Sequence, residues 1–182
     1  MLIETLITDL SRDPFNPKLN FEIAQEYERI GQTASAISFY LRTAEYGYES
    51  RPSYAYASLL KASICFESQQ NRQATVENLI YKAIAYLPYR QEAYFFLSRF
   101  YERSAKWQES YTWACVGLHL NKMPELPADL GFNDYCLQFE KAVSAWWVGR
   151  KDESVEIFTN LLTKDLSPEY QTAIEGNLAR IQ

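Results

Sequence analysis

The sequence predicts an all-α fold: about ten helices, with four antiparallel pairs stacked as a right-handed superhelical solenoid and one end helix at each terminus. Three observations lead there. Apolar and small residues recur at helical spacing along nearly the whole chain of 182 residues. The stretch "FEIAQEYERIGQTASAISFY" returns without a gap as "FFLSRFYERSAKWQESYTWA", 74 residues later, with Tyr-Glu-Arg at 27–29 and again at 101–103. Gly31, Ala105 and Gly149 interrupt the helical pattern at matching places, and the interval between the two copies holds one further unit of about 37 residues.

Each element follows from its own residues. An amphipathic end helix is expected over 2–12, in "LIETLITDLSR". The first pair, 17–47, has Phe21, Ile23, Ala24, Tyr27 and Ile30 on one helix and Ala36, Ile37, Tyr40 and Ala44 on the next. Gly31 between them permits the left-handed backbone that closes one helix and lets the other fold back. The second pair, 51–88, brings Ala62 and Ala83 to close approach and ends at Pro88. The third, 90–120, has Leu97, Ser98 and Tyr101, then Ala105 where Gly31 stood, then Ser110, Trp113 and Gly117. Pro124, Pro127 and Gly131 make 121–133 an inserted loop. In the fourth pair, 134–164, Ala142, Gly149 and Ser154 match Ala24, Gly31 and Ala36. Ser167 and Pro168 then cap and start a last helix over 168–181. Residues 1–182 read as one repeat domain.

Composition narrows the function. A formal net charge of -5 and only short like-charged runs argue against nucleic acid as a partner. No apolar run approaches the ~20 residues of a membrane helix, and "MLIETLITDLSRDP" lacks a basic leader, so neither membrane insertion nor a signal peptide is expected. Cys65, Cys115 and Cys136 are odd in number and set among apolar helical residues, which suits free thiols in a reducing, cytoplasmic setting.

The period and the small-residue pattern resemble the tetratricopeptide repeat, with Ala24, Ala62, Ser98 and Ala142 at repeat position 8, Tyr27 and Tyr101 at position 11 and Pro88 at position 32. Thr43 at position 27 and Ala145 at position 11 depart from it. A narrower resemblance rests on the order "DPFNPKLNFEIAQEYERIG", "YKAIAYLPYRQEAYFFLSRFYER", "SAWWVGRKDESVEIFTNLL" and "SPEYQTAIEGNL". That order is similar to the helical-repeat region following the catalytic domain in a group of family 2 glycosyltransferases. It implies a glycan-synthesis setting, with a glycosyltransferase catalytic domain as a partner, but it transfers no active site, because the chain has no Asp-x-Asp motif.

The repeat resemblance also implies a concave binding face bordered by positions 5, 9, 12 and 13. Position 5 holds Phe21, Phe95 and Phe139; Gln25 and Arg29 follow in the first repeat, Arg99 and Arg103 in the third. Aromatics edged by arginine suit a protein-binding surface or self-association; the competing reading is that the phenylalanines only pack adjacent repeats. The chaperone-tail clamp of such repeats would need Lys and Asn where Phe21 and Gln25 stand, and basic residues where Glu92 and Phe96 stand.

No catalytic, cofactor or metal site is expected. His119 is the sole histidine, with no second ligand at metal spacing, and Asp152 and Glu153 suit a helix N-terminus. Glycine-rich phosphate loops and nucleophile elbows are absent. The expected function is therefore a non-catalytic binding or scaffold module. The alternative is a glycan-binding or glycan-modifying protein in which Trp146 or Trp147 stacks on a sugar ring.

Overall fold

A computed structural model describes residues 3–69, 71–121 and 123–181. Leu2, the expected start of the first end helix, lies outside the described residues. Among these residues the chain forms ten α-helices and no strand: α1 (Ile3–Arg12), α2 (Pro17–Arg29), α3 (Thr33–Gly47), α4 (Pro52–Glu67), α5 (Gln73–Tyr86), α6 (Gln91–Arg103), α7 (Trp107–Leu118), α8 (Cys136–Trp147), α9 (Lys151–Leu161) and α10 (Pro168–Ile181). Each expected pair interval holds two helices, and the described residues of 121–133 form none.

Local chemistry sets the helix ends. Pro17 occupies the first turn of α2, and Asn16 caps it by accepting from the Lys18 and Leu19 amides at 3.0 and 3.2 Å. Four left-handed residues sit in the four intra-pair turns: Gly31 (φ 75°), Asn71 (φ 61°), Ala105 (φ 53°) and Gly149 (φ 85°). In three of them the next amide reaches back to a carbonyl in the closing helix: Gln32 to Tyr27, Lys106 to Tyr101 and Arg150 to Ala145, each at 2.9 Å. These bonds satisfy carbonyls that the helix end would leave unpaired, and they turn the chain sharply enough for the next helix to pack antiparallel.

The chain divides into two compact units, Met1–Tyr89 with Met123–Leu130, and Arg90–Lys122 with Gly131–Gln182. In the first unit α1 packs on α2, α2 on α3, α3 on α4 and α4 on α5, while the first helices α2 and α4 also touch. Its core gathers Phe21, Ala24, Ala36, Tyr40, Ala57 and Ala62, and Ala128 from the long loop packs against it. In the second unit α6 packs on α7, α7 on α8, α8 on α9 and α9 on α10, with the first helices α6 and α8 in contact.

The small residues act as spacers. Ala24, Ala62, Ser98 and Ala142 are fully buried. Where the spacer is serine its hydroxyl is bonded inside the pair: Ser98 Oγ donates to the Ser110 carbonyl at 2.9 Å, and Ser154 Oγ to the Ala142 carbonyl at 2.7 Å. A β-carbon on Gly117 would stand 2.8 Å from Leu137 Cδ1 and 2.9 Å from Tyr94 Cβ, so this approach requires glycine.

Candidate protein-binding face

Two of the three position-5 phenylalanines are core residues. Phe21 is 1% exposed, edge-on to Tyr40 and Tyr54; Phe95 is 0% exposed, against Phe96 and Phe132. Phe21 thus packs against α3 and α4, and Phe95 against Phe96 of its own helix and Phe132 of the long loop. Phe139 is half-buried, 5.0 Å from Tyr170 and 5.9 Å from Phe158.

The arginines differ more. Arg29 is exposed and turned along its own helix, where Nε and Nη2 donate to Glu26 at 3.0 and 2.8 Å. Gln25 beside it is half-buried. Arg99, half-buried, lies over the Phe95 ring at 5.8 Å, and Arg103 is exposed at the end of α6. Both act electrostatically on Glu140 of the packed helix α8. Arg99 and Arg103 thus stand one turn apart on α6, and Arg29 pairs with Glu26 of its own helix.

Glu140 is the residue that the sequence reading missed. It is 5% exposed. Burial raises its pKa to about 8; Glu102 pushes it the same way, while Arg99 and Arg103 pull it down. The neighbourhood includes Cys136, whose sulfur accepts the Asn133 amide at 3.2 Å and pairs with the Tyr170 hydroxyl. The α6–α8 face therefore combines two guanidiniums and the Glu102 carboxylate with a buried carboxyl whose burial favours its neutral form.

The tryptophans also separate. Trp146 is partly buried, with Lys151 Nζ 4.6 Å above its ring. Trp147 is 59% exposed and stacks on Trp107 of the preceding pair, with centroids 5.0 Å apart and planes 15° from parallel. Trp107 was likewise not singled out from the sequence.

A second polar cluster lies around α8. Glu153 accepts from Lys141 Nζ at 2.7 Å and from the Tyr111 hydroxyl at 2.9 Å, and Arg150 stands 3.7 Å away. Hydrogen bonds and cations hold the Glu153 carboxyl below its usual range against the opposing effect of burial. Among the described residues no group of three His, Cys, Asp or Glu side chains is placed to hold a metal ion. His119 caps α7 and its Nδ1 donates to the Cys115 carbonyl at 2.7 Å. Cys65, Cys115 and Cys136 are free thiols, and no described helix is long and apolar enough to cross a membrane.

No family model matches the chain, and no curated protein matches it in sequence. Solved structures match it in fold. A crystal structure of MamA is similar with a TM-score of 0.65 and 15% identity, over 98% of this chain and 89% of that one. A second MamA crystal structure gives 0.64 and 15%, over 91% and 85%. A thermophilic TPR protein of Thermus thermophilus gives 0.62 and 13%, over 97% and 89%. At such identities the likeness establishes the fold alone, and that fold is the all-helical tetratricopeptide type.

Proposed function

With a tetratricopeptide-type fold as the premise, we propose that this chain is a non-catalytic protein-binding or scaffold module, and that its partner engages the face shared by α6 and α8. One observation carries the reading: Arg99, half-buried over the Phe95 ring at 5.8 Å, and the exposed Arg103 lie one turn apart on α6, the helix that packs on α8 and its buried carboxyl, Glu140. A charged cluster that costs desolvation to assemble, edged by aromatic rings, suits a recognition surface. The test is co-purification from the source organism, followed by affinity and melting measurements on the Arg99→Glu, Arg103→Glu protein. Loss of partner affinity at an unchanged melting temperature is expected; unchanged affinity removes this face from the proposal.

An accessory place beside a glycosyltransferase is the narrower form of this reading. Its support is the order of the short motifs along the sequence. Co-purification of a glycosyltransferase catalytic domain, by itself or within the same reading frame, would establish it; a partner set free of such enzymes would end it.

A second reading has its own observation. The exposed Trp147 offers one open indole face, its other face being stacked on Trp107. Such a platform suits the apolar face of a sugar ring. Glycan-array binding by the isolated protein, lost in Trp147→Ala with folding intact, would favour it.

A further inference from the structure

We propose that the inserted loop is an internal occupant of the first unit's repeat face, and that an extended leucine- and proline-containing segment of a partner protein binds there by displacing it. This surface is separate from the α6–α8 face and does not depend on that reading. Residues 123–130 belong to the first unit, although the chain on either side of them belongs to the second. They form no helix or strand; Leu126, Pro127, Ala128 and Leu130 are half-buried, while Met123, Pro124, Glu125 and Asp129 are exposed. Ala128 packs against the cluster that holds Phe21, Ala24, Tyr40, Ala57 and Ala62. Phe21 stands at repeat position 5, which borders the binding face in repeats of this type. In the second unit the same loop lays Phe132 on Phe95, the position-5 residue of the third repeat, with centroids 5.5 Å apart. At both places a loop side chain sits where such repeats leave room for a partner.

The seated residues define the chemistry of the segment that would replace them. The cluster offers alanine methyls and aromatic rings, with the partly buried Tyr54 edge-on to Phe21 at 5.2 Å. A small apolar side chain fits against such a surface, and Pro127 beside Ala128 fixes its own φ, which lowers the cost of ordering an extended chain. The contact is therefore apolar, made by a small residue next to proline. A half-exposed segment without regular structure opens at a lower free energy than the packed helices around it. Its departure uncovers apolar surface around Phe21, and a segment with matching side chains covers it again. The loop is tethered at both ends, so it competes at high effective concentration and weakens the partner by the fraction of molecules in which the face is closed.

The probe is a fluorescein-labelled peptide, Met-Pro-Glu-Leu-Pro-Ala-Asp-Leu, the sequence of residues 123–130, titrated by anisotropy. Two proteins open the face: one with residues 124–130 replaced by glycine and serine in equal number, and Ala128→Arg, whose long cationic side chain does not fit against the apolar cluster. Both are expected to bind the peptide roughly tenfold more tightly than the wild type. Arg99→Glu, Arg103→Glu should bind it as the wild type does, and weaker binding there would put the peptide on the α6–α8 face and overturn the proposal. Equal affinity in the wild type and the opened proteins, or binding in none of them, also overturns it. If both opened proteins fail to fold, the Ala128 methyl signal of the wild type gives the answer: excess peptide must move it to the position of an exposed alanine, and an unmoved signal defeats the proposal. Wild-type dimers that Ala128→Arg abolishes would make the loop of a second copy the occupant and overturn the partner-segment form. The α6–α8 reading is judged separately, by the affinity of a co-purified partner for the Arg99→Glu, Arg103→Glu protein.

Discussion

The tripeptide Tyr-Glu-Arg at 27–29 and its copy at 101–103 occupy the same turn in two helix pairs, yet only the backbone role is shared. In both, the tyrosine carbonyl accepts the amide that closes the turn. Tyr27 then stacks on Phe39 within its own pair, at 5.5 Å and 21°. Glu28 accepts from the buried Tyr40 hydroxyl and pairs with Lys61 of α4 at 3.2 Å, which ties three helices together. The third pair has Ala114 where the first has Tyr40. No phenol stands there to bond Glu102, which acts on Glu140 together with Arg99 and Arg103. One repeated motif is thus stapled into the core in one unit and presented with a charge cluster in the other. The lesson is that repeat register fixes the backbone, and the neighbouring helices decide whether the side chains hold the fold or face a partner.

The comparison breaks most severely at Tyr40. Tyr40→Ala, which gives the first pair the residue of the third, removes a fully buried ring and should cost about 4 kcal/mol by chemical denaturation. A cost under about 1 kcal/mol would mean that the Glu28 staple is not structural.

An effect of opposite sign, confined to high pH, is expected at Glu140. Its folded value of about 8 stands above the ordinary 4.5, so the folded state holds the proton more tightly. Stability from this group is complete below about pH 4.5 and is lost as pH rises to about 8. Glu140→Gln should therefore match the wild type near pH 4 and exceed it in stability at pH 9. Melting curves across that range check it, and a constant difference at all pH values would contradict it.

The smallest pair of effects lies in the turns. Gly31 has open space where a β-carbon would stand, so Gly31→Ala meets only the left-handed backbone and should cost about 1 kcal/mol. Ala105 already bears that strain at φ 53°, and Ala105→Gly should stabilise by about 0.5 kcal/mol. Equal signs for the two substitutions would show that the turns are not equivalent.

The helix pairs were legible in the sequence because their signals are local: a breaker residue, small side chains at fixed spacing and an uninterrupted helical period. Ala105 was legible as a turn residue only through its alignment with Gly31. The candidate face was half legible. Arg99 and Arg103 are neighbours by helical spacing alone, but their effect on Glu140 depends on the packing of α6 on α8. One signal was present: Glu140 stands in register with Leu60 and Phe96, both buried apolar residues, which marks a carboxyl entering the core. The first pair obscured it, since Glu22 holds that register as a half-buried residue 3.7 Å from Lys18. The inward turn of Phe21 and Phe95 and the Trp107–Trp147 stack depend on contacts with other helices and with the long loop that no period in the sequence records.

The divergence of the two copies is tested most directly by parallel charge reversals. Affinity for the co-purified partner and melting temperature are measured together in Arg29→Glu and in Arg99→Glu, Arg103→Glu. The predicted result is unchanged partner affinity in the first and a loss of roughly tenfold in the second, with both proteins folded. Equal losses, or none in the second, would contradict the assignment of binding to the α6–α8 face.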